Sequence, residues 1–249
     1  MVLVLARETL IVNDLHKIYE DGTYAVRGVS FRVREGEVYG LIGPNGAGKT
    51  TTLRMITGLI KPTRGEIFVD GINVVKKPFE ARRLIGYLPE EADVYIRLTG
   101  YEHLEFYAKL YGVEDIEKTV EYGAKLSGLP EEKLRERAGG YSKGMKRRLL
   151  LAIVLMRRPK LALLDEPTSG LDVYASVRVR EIIKKYVRET GSSIVLSSHN
   201  MLEVEYLCDR VGIIYSGKII IEDTPENIME KYGVENLEEA FIKIVEEEK

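Results

Sequence analysis

The sequence predicts an α/β protein, with a parallel sheet covered by helices, an N-terminal antiparallel β subdomain and an inserted helical subdomain. Three observations predict it. Short apolar runs end at glycine or a polar cluster and are followed by helical patterns, the rhythm of parallel strands joined by crossover helices. One such junction carries Gly43-Pro-Asn-Gly-Ala-Gly-Lys-Thr50, a glycine-rich loop between a strand and a helix. Between Glu91 and Met156 the strand-like runs disappear and helical patterns replace them.

Taken in order, Leu10 to Tyr19 and Ala25 to Val33 read as strands of the smaller antiparallel sheet. Val38 to Ile42 is a buried strand leading into the Gly43 loop, and the chain after Lys49 continues as a helix. Tyr101 to Tyr111 and Asp115 to Leu126 carry helical patterns. The apolar run Leu149 to Met156 lies between Arg147-Arg148 and Arg157-Arg158; a bilayer-spanning helix needs about 20 residues, so this is a buried helix segment. Leu161 to Leu164 is a strand ending at Asp165, Val173 to Thr190 a helix closed by Gly191, and Ser193 to Leu196 the next strand. Val211 to Tyr215, Ser216-Gly217 and Lys218 to Ile221 form a terminal hairpin. In the tail, Asn236 caps a helix with Glu239 three residues on, and Leu237, Ala240, Phe241, Ile244 and Val245 share the face expected to pack on the core or a partner. The expected division is a single domain over 1–249: a core of 1–90 and 157–221, a helical subdomain of 91–156 and a helical tail of 222–249.

Composition narrows the function. A chain of 249 residues with 45% hydrophobic content can bury a sizeable core. Its 37 Lys and Arg nearly balance 39 Asp and Glu, so there is no net basic field and no nucleic-acid partner is expected. Cys208, the only cysteine, rules out a disulfide framework and reads as core; His16 and His103 read as structural. Met1 to Glu8 has neither a basic leader nor a cleavage pattern, so a soluble, cytoplasmic protein is expected. The 31% charged content and the absence of glutamine resemble the bias of proteins from hot environments.

The loop Gly43, Pro44, Asn45, Gly46, Ala47, Gly48, Lys49, Thr50 and Thr51 has the context a phosphate loop requires. Backbone N–H groups of residues 45–50 can surround phosphate oxygens, and the helix N-terminus adds partial positive charge. Lys49 reaches the β- and γ-phosphates; at an effective dielectric near 20, one such contact is worth roughly 4 kcal/mol before desolvation. Thr50 offers its hydroxyl to Mg2+.

Asp165 and Glu166 stand where open α/β sheets collect ligands, at the end of a buried strand. Alternation along the strand separates their roles: Asp165 suits the Mg2+ shell, and Glu166 suits activating the attacking water. His199, at the same sheet edge, can donate to the γ-phosphate or orient Glu166.

Five segments, Gly43 to Thr51, Tyr141-Ser-Lys-Gly-Met145, Leu161 to Glu166, Ser169-Gly-Leu-Asp172 and Ser197-Ser-His199, in this order resemble the ATPase subunits of ATP-binding cassette (ABC) transporters. The likeness runs from about Leu10 to Ile221. The signature Tyr141 to Met145, the adjoining Lys146-Arg147-Arg148 and the tail near Glu239 to Phe241 resemble exporter-type subunits of the drug-efflux kind. The resemblance implies a P-loop NTPase fold with a RecA-like core. It also implies a head-to-tail pair, ordinarily a homodimer, holding two Mg2+-ATP between phosphate loop and opposite signature. Ser142, Gly144 and Asp172 then serve the partner's nucleotide, and Ser142 can cap the helix leading into Leu149 to Met156. Tyr19 is implied as the adenine-stacking residue, with Tyr24 as competitor. Separate integral membrane permease subunits are implied partners, contacted by the helical subdomain, so the chain is expected at the inner face of the cell membrane.

Two positions depart from the pattern. Glu90 replaces the usual glutamine in Gly86 to Glu90, keeping an oxygen ligand for Mg2+ but putting an anion beside phosphates; it is expected to couple the site to the helical subdomain. Met145 replaces the glutamine that commonly ends the signature. The alternatives are a soluble cassette ATPase acting on a macromolecular assembly and a phosphate-loop kinase or switch GTPase. Only about 90 residues separate Lys49 from Tyr141, too few for a long coiled coil, and there is one cassette. The segments at Tyr141 and His199 have no place in a kinase or GTPase.

Overall fold

The computed structural model describes residues 7–248. The reading of the N-terminal leader falls on residues 1–6, outside the described residues.

The N-terminal sheet is antiparallel, in the order β2 (Tyr24–Arg34), β1 (Glu8–Ile18), β4 (Arg64–Val69), β5 (Ile72–Asn73). On β1, Leu10, Val12 and Leu15 are buried, and the register shift between Val12 and Leu15 surrounds Asp14, whose φ is 44°. Sequence reading did not anticipate β4 and β5. Their signal is local: Asp70 and Gly71 both take positive φ, as a two-residue hairpin turn needs.

The second sheet runs β10 (Lys218–Asp223), β9 (Arg210–Tyr215), β3 (Val38–Ile42), β8 (Ser193–Ser198), β7 (Leu161–Asp165), β6 (Ile85–Leu88), parallel except for the edge strand β10. Continuous apolar runs are required here because both faces are covered. Tyr39, Leu41, Leu161, Leu163 and Val195 face a core shared with the antiparallel sheet and with α1 (Lys49–Ile56). Val38, Ile42, Ala162, Leu164, Ile194 and Leu196 face the other core, against α6 (Lys143–Leu155), α7 (Val173–Thr190) and α8 (Met201–Leu207). Strand β8 runs two residues beyond the expected Leu196, which fixes Ser197 and Ser198 in the sheet.

Helix α2 (Pro78–Leu84) precedes β6, and α3 (Gly100–Leu110), α4 (Ile116–Ser127), α5 (Glu131–Arg135) and α6 fill the stretch between β6 and β7. A capping box of Thr99 and Glu102 starts α3, and Asp115 caps α4. His103 is buried and satisfied: one ring nitrogen meets the Thr99 carbonyl and the other accepts from Tyr95 N–H. Helix α6 returns to the sheet with Leu149 to Leu155 all buried, as the apolar run requires. Helix α7 is capped by Asp172 and closed by Gly191. Helix α9 (Pro225–Tyr232) was not anticipated, although it has a Thr224 cap, Pro225 in its first turn and Gly233 after its end. The tail helix α10 (Leu237–Glu247) buries Leu237, Ala240 and Ile244 in the second core, so it packs on its own chain. Cys208 is buried there too.

Candidate functional site

The turn from β3 to α1 is shaped by positions that exclude a side chain. A Cβ on Gly43 would collide with the Ile214 carbonyl, and one on Gly48, at φ 107°, would stand 2.5 Å from the Ala25 carbonyl. Gly48 caps α1 without a side-chain acceptor, so the first-turn N–H groups stay available to an anion. One correction to the expected ring of donors at 45–50 follows: Ala47 N–H is already bonded to the Pro44 carbonyl at 3.2 Å, because the loop closes on itself there. Pro44 to Thr51 line a cavity of about 250 Å³ together with Ala25, Glu90 and Glu166.

Lys49 is only 6% exposed and folds back over the loop, donating to the Gly43 carbonyl at 2.6 Å and the Pro44 carbonyl at 3.2 Å. Its ammonium lies 3.5 Å from Glu166 Oε1. Incoming phosphate therefore meets a cation already screened by dipoles and one carboxylate.

Asp165 is fully buried at the end of β7. Its Oδ1 accepts from Thr50 at 3.2 Å and from Ser197 at 2.5 Å, and its Oδ2 accepts from Tyr87 at 3.4 Å. Burial, and then the Asp165 charge, push the Tyr87 hydroxyl up to about 12, so it remains a donor. Glu166 takes a left-handed φ of 46°, uncommon for a side chain of this size. That turn brings its carboxylate back over the loop, with Oε2 2.8 Å from His199 Nδ1 and Oε1 toward Lys49. Glu166 N–H is held by both the carbonyl and the hydroxyl of Ser197. Asp165 and Glu166 thus diverge, and of the two tasks considered for His199 its geometry favours orienting Glu166.

Magnesium chemistry suits the donor set. No cluster of three or more His, Cys, Asp or Glu that could hold a metal occurs among the described residues. Thr50 Oγ1 and Asp165 are hard oxygens beside a phosphate loop, the arrangement in which Mg2+ is shared between one or two protein groups and substrate phosphates.

Other expected residues are dispersed. Glu90 is exposed beside the loop, its Oε1 accepting from Ser169 Oγ at 3.1 Å. The Tyr19 hydroxyl is 3.2 Å from Thr51 Oγ1, which places the ring at the loop, whereas Tyr24 is engaged with His16 and lies under Arg27. Ser142 caps α6 through Met145 N–H and remains exposed. Gly144 is buried, and a Cβ there would stand 2.5 Å from Ala175 Cβ, so within this chain it lets α6 approach α7. Asp172 is exposed but bonded to Ala175 N–H at 2.8 Å.

Four residues with no role assigned from sequence organise this edge. Ser197 joins Asp165 to Glu166, Tyr87 closes Asp165, and Arg147 binds the backbone of the Asp165-Pro167 turn and of Pro89-Glu90. Glu203 on α8 is buried and takes the Ser198 hydroxyl at 2.6 Å; burial raises its carboxyl above the ordinary glutamate range, and the Glu166 charge adds to the rise. No local pattern marks these contacts, since the partners lie 5–78 positions away.

The sequence model of the ABC transporter family matches residues 26–169. The chain is 42% identical over 221 residues to the ABC transporter ATP-binding protein NatA of Bacillus subtilis (strain 168), covering 88% of this chain and 89% of that protein. It is 37% identical over 239 residues to the linearmycin resistance ATP-binding protein LnrL of the same organism, covering 92% and 76%. The dimeric, post-hydrolysis structure of the ATP-binding cassette MJ0796 bound to ADP and Pi superposes with a TM-score of 0.77 at 25% identity, over 86% of this chain and 98% of that one. This chain belongs to the ABC transporter family, as one of its ATP-binding, ATP-hydrolysing subunits.

Proposed function

We propose that this chain is the motor subunit of an exporter, working as a head-to-tail homodimer around two Mg2+-ATP and driving separate membrane permease subunits. The observation that carries the reading is Glu166, held by His199 at 2.8 Å and facing Lys49 across the mouth of the phosphate loop. Bound Mg2+ supplies positive charge to the phosphate oxygens; Thr50 and Asp165 would hold it, with Glu90 nearby. Lys49 binds the β- and γ-phosphates, Tyr19 stacks on adenine, and backbone N–H groups of the Gly43 to Thr51 turn carry the rest. Glu166 takes a proton from the attacking water, and His199 keeps the carboxylate in place.

Pairing is supported by what this chain leaves open. Ser142 and Asp172 are exposed, and the MJ0796 cassette is described as a dimer. Export is supported by the resistance protein LnrL among the relatives. No helix among the described residues is long and apolar enough to cross a membrane, and this reading gives the crossing to the permease subunits. Tyr95, Ile96, Phe106 and Leu110 are exposed on the 91–156 helical subdomain and suit an apolar partner there. The remaining division, a core of 1–90 with 157–221 and a tail of 222–249, goes with this reading, as does a place on the cytoplasmic face of the membrane.

Glu166→Gln is the test. The variant is expected to bind ATP, accumulate as dimer and turn over at least about a hundredfold more slowly. Normal turnover would remove Glu166 from this role. Co-purification with a multi-span membrane protein tests the transport half, and capture with ribosomes or nucleic acid alone would overturn it.

A further inference from the structure

Arg147 is a buried charge that the roles above leave unused. It stands in the second turn of α6, 6% exposed, and its fork donates to five backbone carbonyls. Nε reaches Pro167 at 2.9 Å; Nη2 reaches Asp165 at 3.0 Å and Glu166 at 2.6 Å; Nη1 reaches Pro89 at 3.1 Å and Glu90 at 3.3 Å. One side chain therefore ties the helix that starts at Ser142 to the turn bearing the hydrolytic carboxylates and to the segment bearing Glu90. A planar five-donor guanidinium can do this, and an ammonium cannot.

Every hydrogen-bond partner is a neutral dipole. A cation removed from water without an adjacent carboxylate is costly, so compensation has to come from charges one step farther away. Burial pulls the Arg147 guanidinium down, and Glu90 leads the charges that hold it up, ahead of Asp165, Glu203 and Glu166. Glu90 differs from the other three in being exposed and in bonding Ser169, while its carbonyl, like those of Asp165 and Glu166, accepts from the same fork.

We propose that Arg147 is a positioning residue that makes α6, the Pro89-Glu90 segment and the Asp165-Pro167 turn move as one body, with Glu90 as its counter-charge. An acid then stands where the resembling family has glutamine because this chain has a buried cation beside it. The inference rests on the reading of Glu166 and Glu90 as parts of one ATP site.

The experiment is a double-mutant cycle on the full chain, reading kcat and KM for ATP. Arg147→Gln is expected to lower kcat by about thirtyfold while KM changes less than about threefold, since geometry and not nucleotide affinity is lost. In that background Glu90→Gln is expected to recover activity by about fivefold, because it removes an anion left without its cation, whereas in the parent it lowers kcat. Equal factors for Glu90→Gln in both backgrounds would overturn the proposal, as would Arg147→Lys with parental kcat. Should Arg147→Gln not fold, Glu90→Gln alone decides: the amide keeps an oxygen for Ser169 at this exposed site, yet with the charge gone the melting temperature should fall by about 3 °C. An unchanged melting temperature would overturn the couple. Failure of the parent chain to hydrolyse ATP would instead sink the site reading itself, so the two failures are distinguishable.

Discussion

The end of β7 and the start of α6 both carry polar side chains but are finished differently. At Asp165 and Glu166 each carboxylate oxygen has a partner within the chain, and both residues are nearly excluded from solvent. At Ser142 and Lys143 the side chains are exposed, and one local bond, the cap to Met145 N–H, accounts for Ser142. The difference teaches which half of the chemistry is preorganised. Substitutions at the acidic end should act alike at every protein concentration. Those at the α6 end should act through pairing.

The largest effect is expected from Gly48→Ala. A Cβ at φ 107° and 2.5 Å from a backbone carbonyl has nowhere to go, so ATP binding measured by calorimetry should vanish. Retained affinity would show the turn to be more plastic than its packing suggests. Next is Ser197→Ala, which strips a donor from Asp165 and an acceptor from Glu166 N–H. A loss of about tenfold or more in kcat is expected, with no dependence on protein concentration. A concentration-dependent loss would erase the contrast between the two regions.

Ser142→Ala removes a helix cap worth about 1 kcal/mol, and its stability loss should be of that size in urea titration. ATP affinity of the separate subunit should stay unchanged while turnover at pairing concentrations falls several-fold. If affinity and turnover fell together, the signature would belong to its own chain's site.

The smallest effect is on stability against pH. Burial raises the Glu203 carboxyl above its ordinary value, so the folded chain favours its protonated form. The stability this group contributes is complete below the ordinary glutamate range and is lost as pH rises through its raised value. Glu203→Gln stays neutral; it should therefore melt higher than the parent near about pH 8, with the difference closing toward about pH 4. A gap independent of pH would show that Glu203 is ionised in both states.

The features legible in sequence are those whose causes lie within a few residues. Lys49 and Thr50 follow Gly48 where β3 turns into α1, and Asp172, Gly191 and Asn236 mark their helix ends by local hydrogen bonding. The hairpin at Asp70-Gly71 and the capped helix from Pro225 carry equally local signals. In contrast, β6 has only four residues and nothing in its own composition separates it from a loop.

The grouping of Glu90, Asp165, Glu166 and His199 could be expected from their positions at strand ends. Their partners could not. Tyr87 meets Asp165 across 78 positions, Arg147 meets Glu90 across 57, and Gly144 turned inward because α6 crosses α7 there. By itself the sequence determined β1 to β3, β7 to β10, the phosphate turn and the place of Asp165 and Glu166 at a strand end, because backbone geometry and short-range capping set these. Only the tertiary structure decided which side chains hold those acids in place, because parallel strands bring together residues that the chain separates by whole helices.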